Sequence, residues 1–232
     1  MEVIILAGGL GTRLKGVIGD FPKCMAPVNG RPFLAYLFDY LGQQQCRRVI
    51  LSLGYKAEVV KEWLATQDLP FVVDCVTEPE PLGTGGGLLL AVRQSVADNV
   101  VALNGDTMFM TDLKAQMDFH LAQHSCLTLA LKKMYSFDRY GVVNTNSAGI
   151  ITSFDEKKFR EEGMINGGVY IINTKAFLSK HLPARCSFEK DYLERYTRDN
   201  HFYGYANEGY FIDIGIPEDY QRAQEDFKKI FS

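Results

Sequence analysis

The sequence predicts an α/β chain with a Rossmann-like, mostly parallel central sheet and helices on both faces. Three observations carry this. The run Val3-Ile4-Ile5-Leu6 is continuously aliphatic, as in a strand buried on both faces rather than one with a solvated side. It stops at Gly8-Gly9-Leu10-Gly11, where the backbone can turn sharply because no Cβ stands in the way. Beyond it, strand-like runs alternate with segments of helical spacing.

Glu2 to Ala7 forms the first strand. Phe33, Leu34, Leu37, Phe38 and Leu41 then recur at helical spacing, and Arg48 to Leu53 reads as the next strand. Val59, Val60, Trp63 and Leu64 mark a helix, and Phe71 to Thr77 a strand. The alternation continues through a helix from Leu88 to Val96, a strand from Val100 to Leu103, a helix from Leu113 to Leu121 and a strand from Leu127 to Leu131. From Tyr140 onward short strands dominate, at Gly141 to Asn144, Ile150 to Phe154 and Gly168 to Ile172, with less helix between them. This predicts a small β subregion grafted onto the first half within one domain, 1–232.

With 25 basic and 28 acidic residues in 232, the formal charge is −3. No global basic field points to nucleic acid or an anionic membrane, so any phosphate affinity must be local. No apolar stretch approaches the roughly 18 residues of a membrane span. The chain starts directly in a strand without a leader pattern, so a cytoplasmic protein is expected. Cys24, Cys46, Cys75, Cys126 and Cys186 are scattered without a C-x-x-C pair, so reduced thiols are expected. Cys24 stands beside Lys23, whose charge would lower its pKa, although an ordinary packed thiol is the plainer reading. His120 and His124 are four apart on a predicted helix, but no adjacent glutamate makes a zinc motif, and a packed or surface pair is expected.

The glycine loop after the first strand reads as a phosphate cradle, but of neither common kind. Leu14 occupies the third glycine position of the dinucleotide fingerprint, and no Walker lysine follows Gly16. The loop carries its own cation, Arg13, with Lys23 further on. Two fixed cations beside a backbone nest suit a triphosphate whose charge grows on one oxygen as a bond breaks. Pro81-Leu82-Gly83-Thr84-Gly85-Gly86-Gly87 precedes the helix predicted from Leu88, where free amides and a helix N-terminus can face a base or ribose. Asn104-Gly105-Asp106 and Phe211-Ile212-Asp213 end strands, where α/β ligands bind. Such a pair of carboxylates suits a Mg²⁺ completed by water and phosphate oxygens, although either alone is also what a cap or turn former looks like.

The stretch LAGGLGTRL followed by FPK resembles the signature of the sugar-phosphate nucleotidylyltransferases, also called nucleotide-sugar pyrophosphorylases. The likeness extends over essentially the whole chain and implies a glycosyltransferase-A-like nucleotidyltransferase fold. Residues 1–135 would then be mainly the nucleotide-binding half and 136–232 the half that binds a sugar phosphate. By this resemblance Leu6, Ala7, Gly8, Gly9, Gly11, Thr12, Glu78, Pro81, Gly83, Thr84 and Gly105 bind the nucleotide. Arg13 holds the leaving pyrophosphate, Lys23 the α-phosphate, and Asp106 with Asp213 the Mg²⁺. Tyr140-Gly141-Val142-Val143, Glu156-Lys157 and Asn166-Gly167-Gly168-Val169-Tyr170 resemble the family's sugar segments. Gly141, Glu156, Asn166 and Gly168 are then expected at the sugar and Lys157 at its phosphate. A solvated charge run is the bland alternative for Asp155 to Lys158, and Lys158 replaces the family's usual proline. The glycine pair Gly85-Gly86 stands where the family often has one alanine.

The stretches RYGVV, INGGVY and GYFIDIGIPEDYQRAQ narrow the resemblance to members that use GTP and D-glycero-α-D-manno-heptose 1-phosphate. Mannose 1-phosphate guanylyltransferases share several of them and are the alternative. GTP also follows from Glu78: an ionised carboxylate only accepts, and guanine presents adjacent donors at N1 and N2. Glu78 and Glu80 as solvated loop charges is the competing reading. A non-catalytic nucleotide-sugar sensor on the same fold would not need Arg13, Lys23, Asp106 and Asp213. A dehydrogenase is disfavoured by Leu14. A homo-oligomer is left open.

Overall fold

The structure, a computed structural model, describes residues 1–9, 11, 14–198 and 201–231, with Lys15 and Ile18 described by backbone alone. The first part of the chain runs β1 (Glu2–Ala7), α1 (Lys15–Ile18), β2 (Pro27–Val28), β3 (Arg31–Pro32), α2 (Phe33–Gln43), β4 (Arg48–Leu53), α3 (Ala57–Leu64) and β5 (Val72–Thr77). It continues through α4 (Gly83–Val92), β6 (Asn99–Asn104), β7 (Thr107–Phe109), α5 (Leu113–Ala122) and β8 (Leu127–Phe137). The last part holds β9 (Val143–Thr145), β10 (Ile151–Phe154), β11 (Arg160–Asn173), α6 (Thr174–Leu178), a π-helical segment (Phe188–Glu194), β12 (Phe202–Ala206), β13 (Phe211–Asp213) and α7 (Pro217–Ile230).

Seven strands form the central sheet in the order β12-β8-β11-β6-β1-β4-β5. β1 pairs in parallel with β4 and β6, β4 with β5, and β12 with β8; β11 is antiparallel to both its neighbours. Strand β1 is buried on both sides, as its unbroken aliphatic run predicts. Val3 and Ile5 join a core beneath α2 and α7 with Phe33, Leu37 and Phe227. Ile4 joins the opposite core with Leu88, Phe177 and Phe188. The central strand thus presses its carboxyl end, and the glycine turn that follows, onto one edge of the sheet.

Several boundaries differ from expectation: α4 ends at Val92 and not Val96, β8 runs on to Phe137, β9 is Val143–Thr145, and two further differences bear on the site. Helix α4 begins at Gly83 instead of Leu88, so the glycine run is its first turns and not a loop. Glycine weakens a helix by conformational entropy, but here packing overrides propensity. A Cβ on Gly86 would stand 2.2 Å from the Ala184 carbonyl oxygen, and one on Gly85 2.7 Å from the Cys186 sulfur. The short strand expected at Gly168 to Ile172 is the end of the 14-residue β11, which pairs with β8 on either side of a register shift between Asn166 and Tyr170. Helix α7 was not read from the sequence, although Pro217 at its first turn, Glu218 and Asp219 beside it and Lys228 and Lys229 in its last turn are ordinary signals for one.

His120 is buried, its two ring nitrogens 2.9 Å from Thr128 Oγ1 and 3.1 Å from Asn99 Oδ1, while His124 is exposed. Both His120 nitrogens are therefore engaged within the fold. Among the described residues, no helix is long and apolar enough to cross a membrane.

Candidate active site

Two cavities adjoin at the carboxyl edge of the sheet and share Asn104. The first, about 300 Å³, is lined by Leu6, Ala7, Gly8 and Gly9 after β1, by Glu78, Pro81, Gly83 and Thr84 between β5 and α4, and by Lys23, Gly105 and Asp106. All of these were read from the sequence. Cys24, Ser52, Gly87 and Asn104 complete the wall; Gly87 and Asn104 stand inside motifs read from the sequence without a role of their own, Cys24 was expected as a packed thiol, and Ser52 was not singled out. Gly11 adopts a left-handed backbone (φ 60°), with its missing Cβ 3.3 Å from that of Lys23, so it packs on the stem of the lysine. Thr12 and Arg13 lie outside the described residues.

Glu78 is built into this cavity. Its Oε2 accepts the Leu82 amide at 2.9 Å, and its backbone amide donates to Leu53. Its Oε1 lies against Gly8 and Gly87, where a Cβ would come within 2.6 and 2.7 Å. Burial pushes the carboxyl above its ordinary 4.5, and the Leu82 amide opposes this in part. Glu78 is therefore a seated wall residue, whereas Glu80 is exposed. The glycine-run amides are less free than expected, because Gly85 and Gly86 both donate to the Cys186 carbonyl at 3.0 and 3.3 Å. The amide of Gly105 likewise donates to Leu6 at 2.9 Å.

The second cavity, about 790 Å³, contains Gly141, Glu156, Lys157, Asn166, Gly168 and Asp213 from the sequence reading. Its other walls include Arg139, Tyr140, Tyr170 and Glu189. Asn166 is held by its own strand: Nδ2 donates to the Tyr170 hydroxyl at 2.9 Å and Oδ1 accepts the Gly168 amide at 2.8 Å. Gly168 has φ 73°, and a Cβ there would meet Asn104 Nδ2 at 2.9 Å, so glycine fits both the turn and the close approach. Arg139 pairs with Asp219 of α7 at 2.7 Å and donates to the Tyr140 hydroxyl at 2.8 Å. Glu156 and Lys157 line the cavity from exposed positions.

Asp106 and Asp213 meet where the cavities join. Lys23 bonds to Asp106 and stands 3.7 Å from Asp213, and Thr107 Oγ1 donates to Asp106 at 3.1 Å. Burial and the neighbouring Asp106 raise the pKa of Asp213, and Lys23 pulls it back. The same surroundings act on Cys24, whose thiol burial and Asp106 push up to about 12, so it is a packed thiol and not an activated one.

The carboxylate pair fits Mg²⁺. Among the described residues, no three or more His, Cys, Asp and Glu side chains cluster into an all-protein metal cage. Two hard carboxylates that leave positions for phosphate oxygens are what this small octahedral cation takes at nucleotide sites. The repulsion between Asp106 and Asp213 is what a divalent charge would relieve.

A twisted, mostly parallel sheet whose carboxyl edge holds a glycine turn, a lysine between two aspartates and two adjoining cavities defines a nucleotide-handling transferase. The chain belongs to the nucleotidyl transferase family, whose pattern matches residues 2–230. Among its relatives, a D-glycero-alpha-D-manno-heptose 1-phosphate guanylyltransferase of Aneurinibacillus thermoaerophilus is 46% identical over 228 residues, covering 98% of this chain and 99% of the relative. A Campylobacter jejuni protein of the same name is 43% identical over 221 residues, covering 95% and 97%. The crystal structure of HddC from Yersinia pseudotuberculosis complexed with GMP-PN superposes with a TM-score of 0.87 at 39% identity, covering 97% and 99%.

Proposed function

We propose that the protein transfers a guanylyl group from GTP to D-glycero-α-D-manno-heptose 1-phosphate, giving the GDP-heptose and pyrophosphate for surface polysaccharide synthesis in the cytoplasm. The observation that carries this reading is the junction of the two cavities, where Lys23, Asp106 and Asp213 converge between a wall that suits a nucleotide and a wall that suits a sugar phosphate. The shared names of the relatives support the choice of base and sugar.

In the reaction, an oxygen of the sugar 1-phosphate attacks the α-phosphorus of GTP in line, the bond to the β-phosphate oxygen breaks, and pyrophosphate leaves. The attacking phosphate is already ionised, so no protein nucleophile or base is needed, and catalysis rests on alignment and charge. Lys23 holds the α-phosphate, Lys157 offsets repulsion between the two anions, and Arg13 takes the charge of the leaving pyrophosphate. Asp106 and Asp213 would hold Mg²⁺, which when bound neutralises phosphate charge. Glu78 receives the guanine edge on Oε1 and on the remaining lone pair of Oε2.

A panel of nucleoside triphosphates crossed with sugar 1-phosphates, read by pyrophosphate release, tests the proposal. GTP with the heptose 1-phosphate is expected to give the highest kcat/KM. A preference for mannose 1-phosphate overturns the sugar, and a preference for a pyrimidine triphosphate overturns the base.

A further inference from the structure

We propose that Glu189 couples the two substrate cavities, as a positioning residue for the first turn of α4 and as an acceptor for a hydroxyl of the sugar 1-phosphate. The proposal rests on the guanylyltransferase reading above. One carboxylate oxygen, Oε2, accepts from Thr84 Oγ1 at 2.8 Å and from Ser187 Oγ at 2.9 Å. Thr84 lines the nucleotide cavity and Glu189 the sugar cavity, so this bond runs from one wall to the other.

The Thr84 hydroxyl also accepts the Phe188 amide at 2.9 Å, so both of its hydrogen bonds go to the π-helical segment. Around this bridge the two segments interlock at backbone distance, through the Gly85 and Gly86 amides on Cys186 and a Gly83 with no room for a Cβ, 2.6 Å from the same carbonyl. A shift of the segment must therefore move the start of α4. π-Helical turns are rare and concentrate at functional sites, and this one sets Glu189 in its first turn.

Among the described residues no hydrogen bond is made by Glu189 Oε1, and the residue is only half-buried. An ionised carboxylate has about four acceptor positions, of which two are filled on Oε2, so acceptor capacity remains for a polyol. A sugar hydroxyl bound there fixes the carboxylate, and through Thr84 the turn that faces the nucleotide. Binding of either substrate then favours the other.

The test titrates Mg²⁺ with the non-reacting analogue α,β-methylene-GTP into the full chain by calorimetry, with and without saturating D-glycero-α-D-manno-heptose 1-phosphate. The sugar phosphate is expected to tighten analogue binding about fivefold or more in the unaltered protein, the usual size of such a coupling. Thr84→Val should bring that factor close to one while the protein still binds the sugar phosphate. Glu189→Gln keeps an oxygen for Thr84 and Ser187 but turns an NH₂ toward the cavity. It should weaken sugar phosphate binding about tenfold, the loss of one charge-assisted bond, and leave analogue binding alone unchanged. No coupling in the unaltered protein, full coupling in Thr84→Val, or undiminished sugar phosphate binding in Glu189→Gln overturns the proposal; should Thr84→Val not fold, Glu189→Gln decides it. Turnover of the unaltered protein with GTP and the heptose phosphate separates the two readings: turnover without coupling sinks the bridge alone, and absent turnover sinks the function.

Discussion

Lys23 donates to Asp106 across 83 positions of sequence, and the same ammonium stands 3.7 Å from Asp213. A strand-end carboxylate from each half of the chain thus shares one cation at the junction of the two cavities. In this arrangement the ammonium satisfies the same charge that a divalent metal would.

Removing that ammonium separates its two effects. Lys23→Ala should cut turnover about 10² to 10³-fold, as loss of one preorganised donor does. It should also tighten Mg²⁺ or Mn²⁺ binding in the absence of nucleotide, because two carboxylates then face each other without a competing cation. Calorimetric metal titration checks this, and weaker metal binding in the variant would show that Lys23 supports the metal site instead of competing with it.

His120 supplies a pH dependence remote from the chemistry. Burial lowers its pKa from the ordinary 6.5 to about 4. The unfolded chain therefore takes up the proton first as pH falls, so stability is complete above about 6.5 and is lost progressively down to about 4. The full difference corresponds to about 3 kcal/mol, taking 1.36 kcal/mol per pH unit. His120→Gln, which cannot ionise, should start less stable at pH 7 yet lose less between pH 6.5 and 4. Denaturant unfolding at several pH values measures both slopes, and parallel slopes would remove His120 from the acid response.

The strands β1, β4, β5 and β6 were legible because their signal is local, whereas β12 was not read at all. Arg48–Leu53 coincides with its predicted limits, since its buried positions are aliphatic at Val49, Ile50, Leu51 and Leu53, and the one buried polar side chain, Ser52, donates to the Gly87 carbonyl. The strand-end aspartates were legible as a pair, because two carboxylates at the ends of apolar strands far apart in sequence suit a shared ligand, although each alone is what a cap or turn former looks like. The start of α4 was not, because Gly83 to Gly87 argue for a loop by propensity, and only the close approach of residues 184–188, a hundred positions on, explains Gly83, Gly85 and Gly86, while Glu78 and Ser52 explain Gly87. Arg139 was quoted within a motif but assigned no work, since its partner Asp219 sits on α7. Glu189 left no signal at all: a lone glutamate in a polar stretch looks solvated until Thr84 is seen beside it.

The glycine packing has its own test. Gly86→Ala puts a Cβ 2.2 Å from the Ala184 carbonyl oxygen and 2.7 Å from the Leu82 Cβ, and should cost about 1–3 kcal/mol by overpacking. Gly16→Ala is the control, because among the described residues nothing lies within 4 Å of its Cβ, and it should be neutral or slightly stabilising. Melting temperatures should separate by roughly 2–4 °C for each kcal/mol in a chain of this size. Equal melting temperatures would mean that the 184–188 segment yields freely.

The last expectation concerns Glu78 and the base. Its carboxylate is seated between Gly8 and Gly87 and anchored by the Leu82 amide, so a base bound there would meet it in a fixed orientation. Guanine offers N1–H and N2–H side by side to an acceptor-only group, whereas Glu78→Gln turns one acceptor into a donor that opposes them. A hydrogen bond to a charged partner contributes about 1.5–3 kcal/mol, so KM for GTP should rise roughly 10- to 100-fold. Turnover at saturating GTP should change far less, because ground state and transition state lose the contact equally. The preference for GTP over UTP should shrink in the same variant. Acid should imitate it in the unaltered enzyme: burial raises the Glu78 pKa, so as pH falls the carboxyl gains a proton earlier than an ordinary glutamate and KM for GTP rises. Steady-state kinetics with GTP and UTP across pH measures all three, and a Glu78→Gln enzyme that keeps its full preference for GTP would assign base selection to another part of the cavity.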